Sequence, residues 1–255
     1  MTLHYDHIDS TNRVAKDLIA EGAPNGALVR ATRQSAGKGQ YGRVFESPEG
    51  GLYFSLVLEP DLPLEQLPLI TLATGLACLR VLKEQFALSP RIKWPNDIYL
   101  ADRKVAGILC ENVLKPGPDG RSTATVIIGV GMNVNNKVRD FADEIQPLIT
   151  TLLEHLHTRI DLEELLANLT RVIVELVGRL KHDRIAVLAE WQQADLLWGR
   201  PVIYLHDNLS LAGRGEGITE QGAYRIRGEN GVEHQVIGGQ LRLSPGCIFT
   251  GQDTK

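Results

Sequence analysis

No stretch of this chain is apolar for long enough to cross a bilayer. A spanning helix needs about 20 consecutive apolar residues, and every apolar run here is broken well before that by polar or charged side chains. The amino-terminal segment carries His4, Asp6, His7, Asp9, Arg13, Lys16 and Asp17, which excludes a secretory leader there. Cysteine is scarce: Cys78, Cys110 and Cys247 lie far apart without ligand spacing. That argues against a disulfide framework and for small apolar thiols in a reducing, cytoplasmic setting. The 7 histidines are scattered and show no metal spacing. An excess of one charge is lacking too. The 27 Lys and Arg against 31 Asp and Glu leave a net charge of −4, whereas nucleic-acid binders usually show a basic face. Neither a nucleic-acid nor a membrane partner is expected. Gly-x-Ser-x-Gly, His-Glu-x-x-His and the phosphate-binding Gly-x-x-x-x-Gly-Lys-Ser/Thr loop are all missing.

What remains is an ordinary soluble composition, 43% hydrophobic and 23% charged over 255 residues, enough for one large domain or a medium one plus a small one. Asp9 or Ser10 is positioned to cap a helix carrying Val14, Leu18 and Ile19. A short strand, 27–31, leads into a glycine-rich loop, and 51–58 reads as a second strand. Helical periodicity covers 67–86, then an i, i+3, i+4, i+7 stripe from Leu162 to Leu180, then a shorter helix with Trp191 near 185–194. Between them, 98–100 and 104–113 read as a hairpin, 116–122 as a turn-rich excursion and 125–130 as a buried strand. After Trp198 short β runs alternate with the turn pairs Asp207-Asn208 and Asn230-Gly231. The expected fold class is α+β: a larger domain over 1–194 followed by a small β-barrel or sandwich over 195–255.

Three stretches carry chemistry. Residues 33–45 alternate Gly37, Gly39 and Gly42 with Lys38 and Arg43 and end on Phe45. Glycines let backbone N–H groups approach a ligand, and cations match phosphate or carboxylate. The run Lys93-Trp94-Pro95-Asn96-Asp97 holds a cation, an amide and a carboxylate beside a proline that stiffens the backbone. Lys104 precedes Gly107, a glycine inside a β run, and Gly129 and Gly131 end another strand beside Asn133. Alone, each also reads as a flexible surface loop, a proline-anchored turn or a solvated lysine. Together they fit activation of a carboxylate by a nucleotide. Carboxylate and α-phosphate repel, so cations and Mg²⁺ must offset the charge, and no protein nucleophile is needed.

In order and spacing, Asp9-Ser-Thr-Asn12, Arg33–Arg43, Lys93–Asp97, Arg103–Leu109 and Ile128–Asn133 resemble the biotin protein ligases. The likeness runs from about residue 5 to about 245. It implies a two-step enzyme that joins biotin to ATP as biotinyl-5′-AMP and then passes it to one lysine of a biotin carboxyl carrier protein. It also implies that 1–194 is a mixed-sheet catalytic domain, that the carboxy-terminal module is an SH3-like β-barrel, and a homodimer. By resemblance, Ser10, Thr11, Asn12, Gln34, Gly37 and Lys38 hold biotin, with Gly107, Gly129 and Gly131 lining its slot. Lys104 meets the biotin carboxylate and the reacting phosphate. Lys93, Asn96 and Asp97 face the phosphates and Mg²⁺, Asp97 being the tentative metal contact. Lys38, Gly39, Gln40 and Arg43 form a lid over the adenylate, Phe45 stands where a tryptophan usually lies under the adenine, and Asn133 matches an adenosine contact. Lys104, Lys93 and Arg43 are the expected catalytic cations.

The chain departs from the family pattern at Gln40, where an arginine usually helps retain the adenylate. Because the first motif begins at residue 9, no amino-terminal DNA-binding domain is expected, which implies a single-function ligase. The rival readings are a lipoate or octanoate transferase and a non-catalytic biotin binder.

Overall fold

Alternation in the strands decides the architecture, seen in a computed structural model that describes residues 1–116, 122–206 and 209–244. The first sheet is built from β1 (Thr2–Ile8), β2 (Leu28–Gln34), β3 (Leu52–Leu58), β4 (Arg91–Lys93), β5 (Asp97–Leu100), β6 (Arg103–Pro116) and β7 (Ser122–Met132). Its order is β1-β2-β3-β7-β6-β5-β4, with β1 and β2 parallel and the other neighbours antiparallel. Successive side chains point to opposite faces. Leu52, Phe54, Leu56 and Leu58 of β3, Val126, Ile128, Val130 and Met132 of β7, and Ala106 and Ile108 of β6 therefore enter the main core. Val57 and Ile127 turn the other way and pack on Ala15 and Ile19 of α1 (Thr11–Ala20). Ser55, Gly129, Gly131, Gly107 and Glu111 share that second face by parity. This alternation places the site.

The core face is covered by α2 (Leu69–Phe86) and, beyond α3 (Leu152–Leu156), by α4 (Leu162–Arg179) and α5 (Arg184–Gln193). The stripe of α4 is buried as its periodicity predicts, and Asp161 caps it by accepting from the Glu163 and Glu164 amides at 2.8 and 3.2 Å. At α1 the structure selects Ser10 as the cap position, but its side chain makes no capping bond. No described helix is long and apolar enough to cross a membrane.

Two elements differ from expectation. The strand β1 was not legible: it is a polar edge strand whose exposed and half-buried positions leave little apolar pattern. The closed barrel is not there among the described residues. Strands β8 (Pro201–His206), β9 (Leu209–Ile218), β10 (Tyr224–Gly228), β11 (Glu233–Val236) and β12 (Gln240–Leu243) form an open antiparallel sheet, order β11-β10-β9-β8-β12. Its apolar face does not need to close on itself. Val202, Tyr204, Ile218, Tyr224 and Ile226 join the same core as α2, and the Trp94 indole donates to the Gly222 carbonyl at 3.1 Å. Within β9, Gly213 and Gly215 press against the Arg227 and Leu197 carbonyls, where a Cβ would collide. The turn Asp207-Asn208, the centre of the 116–122 excursion and Cys247 lie outside the described residues.

Candidate active site

The amino end of α1, the glycine-rich loop and the second face of β6 and β7 enclose one cavity. It is lined by Ser10, Thr11, Asn12, Gln34, Lys38, Gly39, Gln40, Arg43, Phe45, Asn96, Asp97, Lys104, Gly107, Gly129 and Gly131, all singled out in the sequence, and by Val44, Ile108, Leu109 and Val130, which were not. Residues as far apart in sequence as Ser10 and Gly131 thus share one space. Gly37, Lys93 and Asn133 do not line it.

The inner end is polar, and the side chains that line it there, Ser10, Thr11, Asn12 and Gln34, are uncharged. The Gln34 side-chain oxygen accepts from the Thr11 amide at 2.8 Å, and its nitrogen donates to Ser47 Oγ at 2.9 Å. One of the unpaired N–H groups at the start of α1 is thereby satisfied. Asn12 donates to Glu111 Oε2 at 2.7 Å and to the Leu109 carbonyl at 3.3 Å. Ser55 Oγ lies 2.6 Å from Asn12 Oδ1 and 2.7 Å from Thr11 Oγ1. Gly129 is glycine because a Cβ there would strike Asn12, and Ser55 and Leu109 are its register partners on either side. Sequence reasoning missed Ser47, Ser55 and Glu111. The available signal was a lone serine in the otherwise apolar run 52–58 and a carboxylate in phase with Gly107.

The loop folds as a small hairpin rather than a loose strap. Gly39 donates to the Arg43 carbonyl and the Phe45 amide to the Gly37 carbonyl, both at 2.8 Å. Its apex is a single turn, Gln40–Gly42, in which Tyr41 and Gly42 have φ of 59° and 71°. Gly37 packs inside the hairpin base, where a Cβ would meet Phe45 and Ser47. The Phe45 ring lies against Gly131, whose missing Cβ makes room for it, and edge-on to Tyr53 at 6.4 Å. The Tyr41 hydroxyl reaches the Gly239 backbone, which ties the lid to the second sheet.

The outer end is charged. Between Ile98 and Tyr99 the β5–β6 ladder shifts register by one residue, a bulge of the kind that re-aims a side chain. Lys104 Nζ then lies 2.6 Å from Asp97 Oδ1 and 5.7 Å from the Phe45 ring centroid. Gly107 leaves space for that ammonium, since a Cβ there would lie 3.0 Å from it. Lys93 sits behind, its ammonium 5.7 Å from the Tyr99 ring centroid. Burial is the chief cause that pushes its pKa below the ordinary lysine value; Asp97 opposes, and Lys104, Arg242 and Arg43 push further down. Arg242 comes from the second sheet and was not anticipated. Asn96 is spent on structure, donating to the Ile108 carbonyl at 2.8 Å. Asn133 is buried and donates to the Thr150 carbonyl at 3.1 Å, while the Thr150 amide donates to the Lys104 carbonyl at 2.9 Å. It supports the strand that carries Lys104 from behind.

Comparison with known proteins agrees with this geometry. Residues 5–133 match the model of the biotin/lipoate A/B protein ligase family. The chain is 31% identical over 233 residues to the bifunctional ligase/repressor BirA of Bacillus subtilis, covering 91% of this chain and 70% of that one. It is 33% identical over 240 residues to a biotin–[acetyl-CoA-carboxylase] ligase of Paracoccus denitrificans, covering 90% and 94%. A biotin protein ligase from Aquifex aeolicus, solved in complex with biotin and ATP, superposes with a TM-score of 0.81 at 30% identity over 95% of this chain and 99% of that one. With its motifs gathered in one cavity and its fold shared over nearly its full length, the chain belongs to the biotin/lipoate A/B protein ligase family.

Proposed function

We propose that this protein activates biotin with ATP and transfers the biotinyl group to one lysine of a biotin carboxyl carrier protein. The observation that carries the reading is the polarity of the cavity: an inner end lined by uncharged hydrogen-bonding side chains, a glycine-walled middle and a cationic outer end holding Lys104. That gradient suits a ligand with a polar uncharged head and a carboxylate tail. A lipoyl or octanoyl chain has no polar head to satisfy Thr11, Asn12 and Gln34.

In the first step a biotin carboxylate oxygen attacks the α-phosphorus of ATP. The bond to the β-phosphate oxygen breaks and pyrophosphate leaves. In the second, the neutral ε-amine of the carrier lysine attacks the biotinyl carbonyl, the bond to the phosphate oxygen breaks and AMP leaves with the electron pair. We assign the biotin head to Ser10, Thr11, Asn12 and Gln34, with Gly37 and Lys38 closing over it and Gly107, Gly129 and Gly131 as the walls. We assign Lys104 to the reacting carboxylate and phosphate. The lid residues Lys38, Gly39, Gln40 and Arg43, with Phe45, contact the adenylate. Lys93, Asn96 and Asn133 act on the nucleotide side, chiefly by holding that end of the site in place. No three His, Cys, Asp or Glu gather to bind a metal among the described residues. The single cavity carboxylate, Asp97, suits Mg²⁺ carried by the nucleotide phosphates rather than a protein cage, and such an ion would offset their charge.

We also infer a division at 194/195 between a catalytic domain and the β domain, a homodimer, and a cytoplasmic setting that keeps Cys78 and Cys110 as free thiols. The test is incubation with ATP, Mg²⁺, an apo carrier domain and either labelled biotin or labelled lipoate. Label reaching the carrier with biotin only is expected. Label with lipoate only, or none, overturns the reading.

A further inference from the structure

The cavity's inner end contains a chain of hydrogen bonds whose direction is decided at one end. Glu111 is a carboxylate and accepts only. Facing it at 2.7 Å, Asn12 must present its NH₂, and the Leu109 carbonyl asks for the same orientation. The Asn12 oxygen is then turned to Ser55, 2.6 Å away. Ser55 is fully buried and has one proton for two oxygen neighbours, Asn12 Oδ1 and Thr11 Oγ1. Amide oxygen cannot donate, so the Ser55 proton goes to Asn12, and the 2.7 Å contact with Thr11 is made by the Thr11 proton. The other neighbour of that hydroxyl, Gln34 Oε1 at 3.2 Å, is also an acceptor. Either way the Thr11 proton is held inside the protein. What Thr11 turns to the cavity is a lone pair.

We propose that Glu111, which does not line the cavity, is a specificity-determining positioning residue. Through Asn12 and Ser55 it holds the Thr11 hydroxyl as an acceptor, so that the site demands an N–H donor on the ligand head. This rests on the biotin reading, whose ureido ring supplies such donors. A site built around a committed acceptor rejects an analogue that offers another acceptor there, because two lone pairs are then buried face to face.

Glutamine at 111 can donate as well as accept, so only the longer 3.3 Å contact with the Leu109 carbonyl still favours one orientation of the Asn12 amide. When it turns over, its NH₂ faces Ser55 and the Ser55 proton moves to Thr11, so the Thr11 proton is no longer needed between the two hydroxyls and can turn to a ligand acceptor at the cost only of the 3.2 Å contact with Gln34 Oε1. Binding is measured by calorimetry on the full chain, for biotin and for the two cyclic carbamate analogues in which one or the other ureido N–H is a ring oxygen. The wild-type protein should bind at least one analogue more weakly than biotin by about 100-fold or more. In Glu111→Gln that ratio should fall below about 10-fold. Ser55→Ala, which cuts the chain in the middle, should lower it similarly, and the double variant should lower it no further because both act along one path. A purely structural role for Glu111 would weaken all three ligands alike and leave the ratio in place. An unchanged ratio in Glu111→Gln, or independent effects of the two substitutions, overturns the proposal. Failure of the wild-type protein to bind biotin overturns the functional reading itself.

Discussion

At the scale of the residue, Lys104 shows how a common side chain becomes a special one. Its ammonium is held between the Asp97 carboxylate and the Phe45 ring, on a bulged strand, with a glycine making room beside it. A charge held there before the substrates arrive needs little reorganisation when charge develops on the reacting oxygens. Lys104→Ala should lower the rate of biotinyl-AMP formation about 10²- to 10³-fold, the loss typical of one preorganised donor. Pyrophosphate release in single turnover measures it, and a normal rate would remove Lys104 from the chemistry. Alone the lysine reads as solvated; Gly107 in a β run hinted at a close approach, and the family resemblance supplied its role. Ser55 and Glu111 were not legible, since a serine in a strand and a carboxylate four residues before the exposed Lys115 look the same in a surface sheet.

At the scale of the element, the glycine-rich loop is a hairpin with its own hydrogen bonds, so its cations are presented by a framework. Lys38, which pairs with Val44, and Arg43 stand on opposite arms, both lining the cavity, and Gln40 begins the apex. Gln40 can hydrogen-bond an adenylate but cannot neutralise its phosphate. Gln40→Arg should slow dissociation of biotinyl-AMP, by about 10-fold if the new contact is worth the 1.5 kcal/mol of a typical charged hydrogen bond. Filter retention of labelled adenylate measures this, and equal off-rates would show that another cation already does the work. The loop's composition was readable as a cradle. Its hairpin form was not, because the bonds that shape it are backbone to backbone and depend on where β3 and β7 place Phe45.

At the scale of the whole molecule, the second sheet is part of the site's frame rather than an appendage. It contributes Arg242 to the cationic end, receives the lid at Gly239 through Tyr41, and braces Trp94, the centre of the Lys93–Asp97 run. The joint is Asp195, fully buried, which accepts from the Tyr224 hydroxyl at 2.7 Å and the Leu197 amide at 2.9 Å. Burial, only partly offset by those bonds, pushes its pKa up from 3.8 to about 6. Between those values the folded state holds a proton that the unfolded chain has released, so stability declines as pH rises from about 4 to about 6. The contribution is at most about 3 kcal/mol, from a shift of some two pH units. Asp195→Asn should flatten this dependence, seen as a wild-type minus variant difference in urea midpoint that changes between pH 4.5 and 7. A difference constant with pH would place the cost elsewhere.

Taken alone, the amino-acid sequence determined α1, α2, α4 and α5, the central strands and most of the motif residues, but not the short α3. Those features are local: periodicity, glycine spacing and proline-stiffened turns act within a few residues of themselves. The tertiary structure decided the rest. Parity along β3, β6 and β7 put Ser55, Gly129 and Glu111 on one face, and packing of the second sheet on α2 removed its need to close. The direction of the hydrogen-bond chain beneath Thr11 belongs to that second class. It depends on four side chains from three separate segments, and only folding brings their single protons and lone pairs within reach of one another.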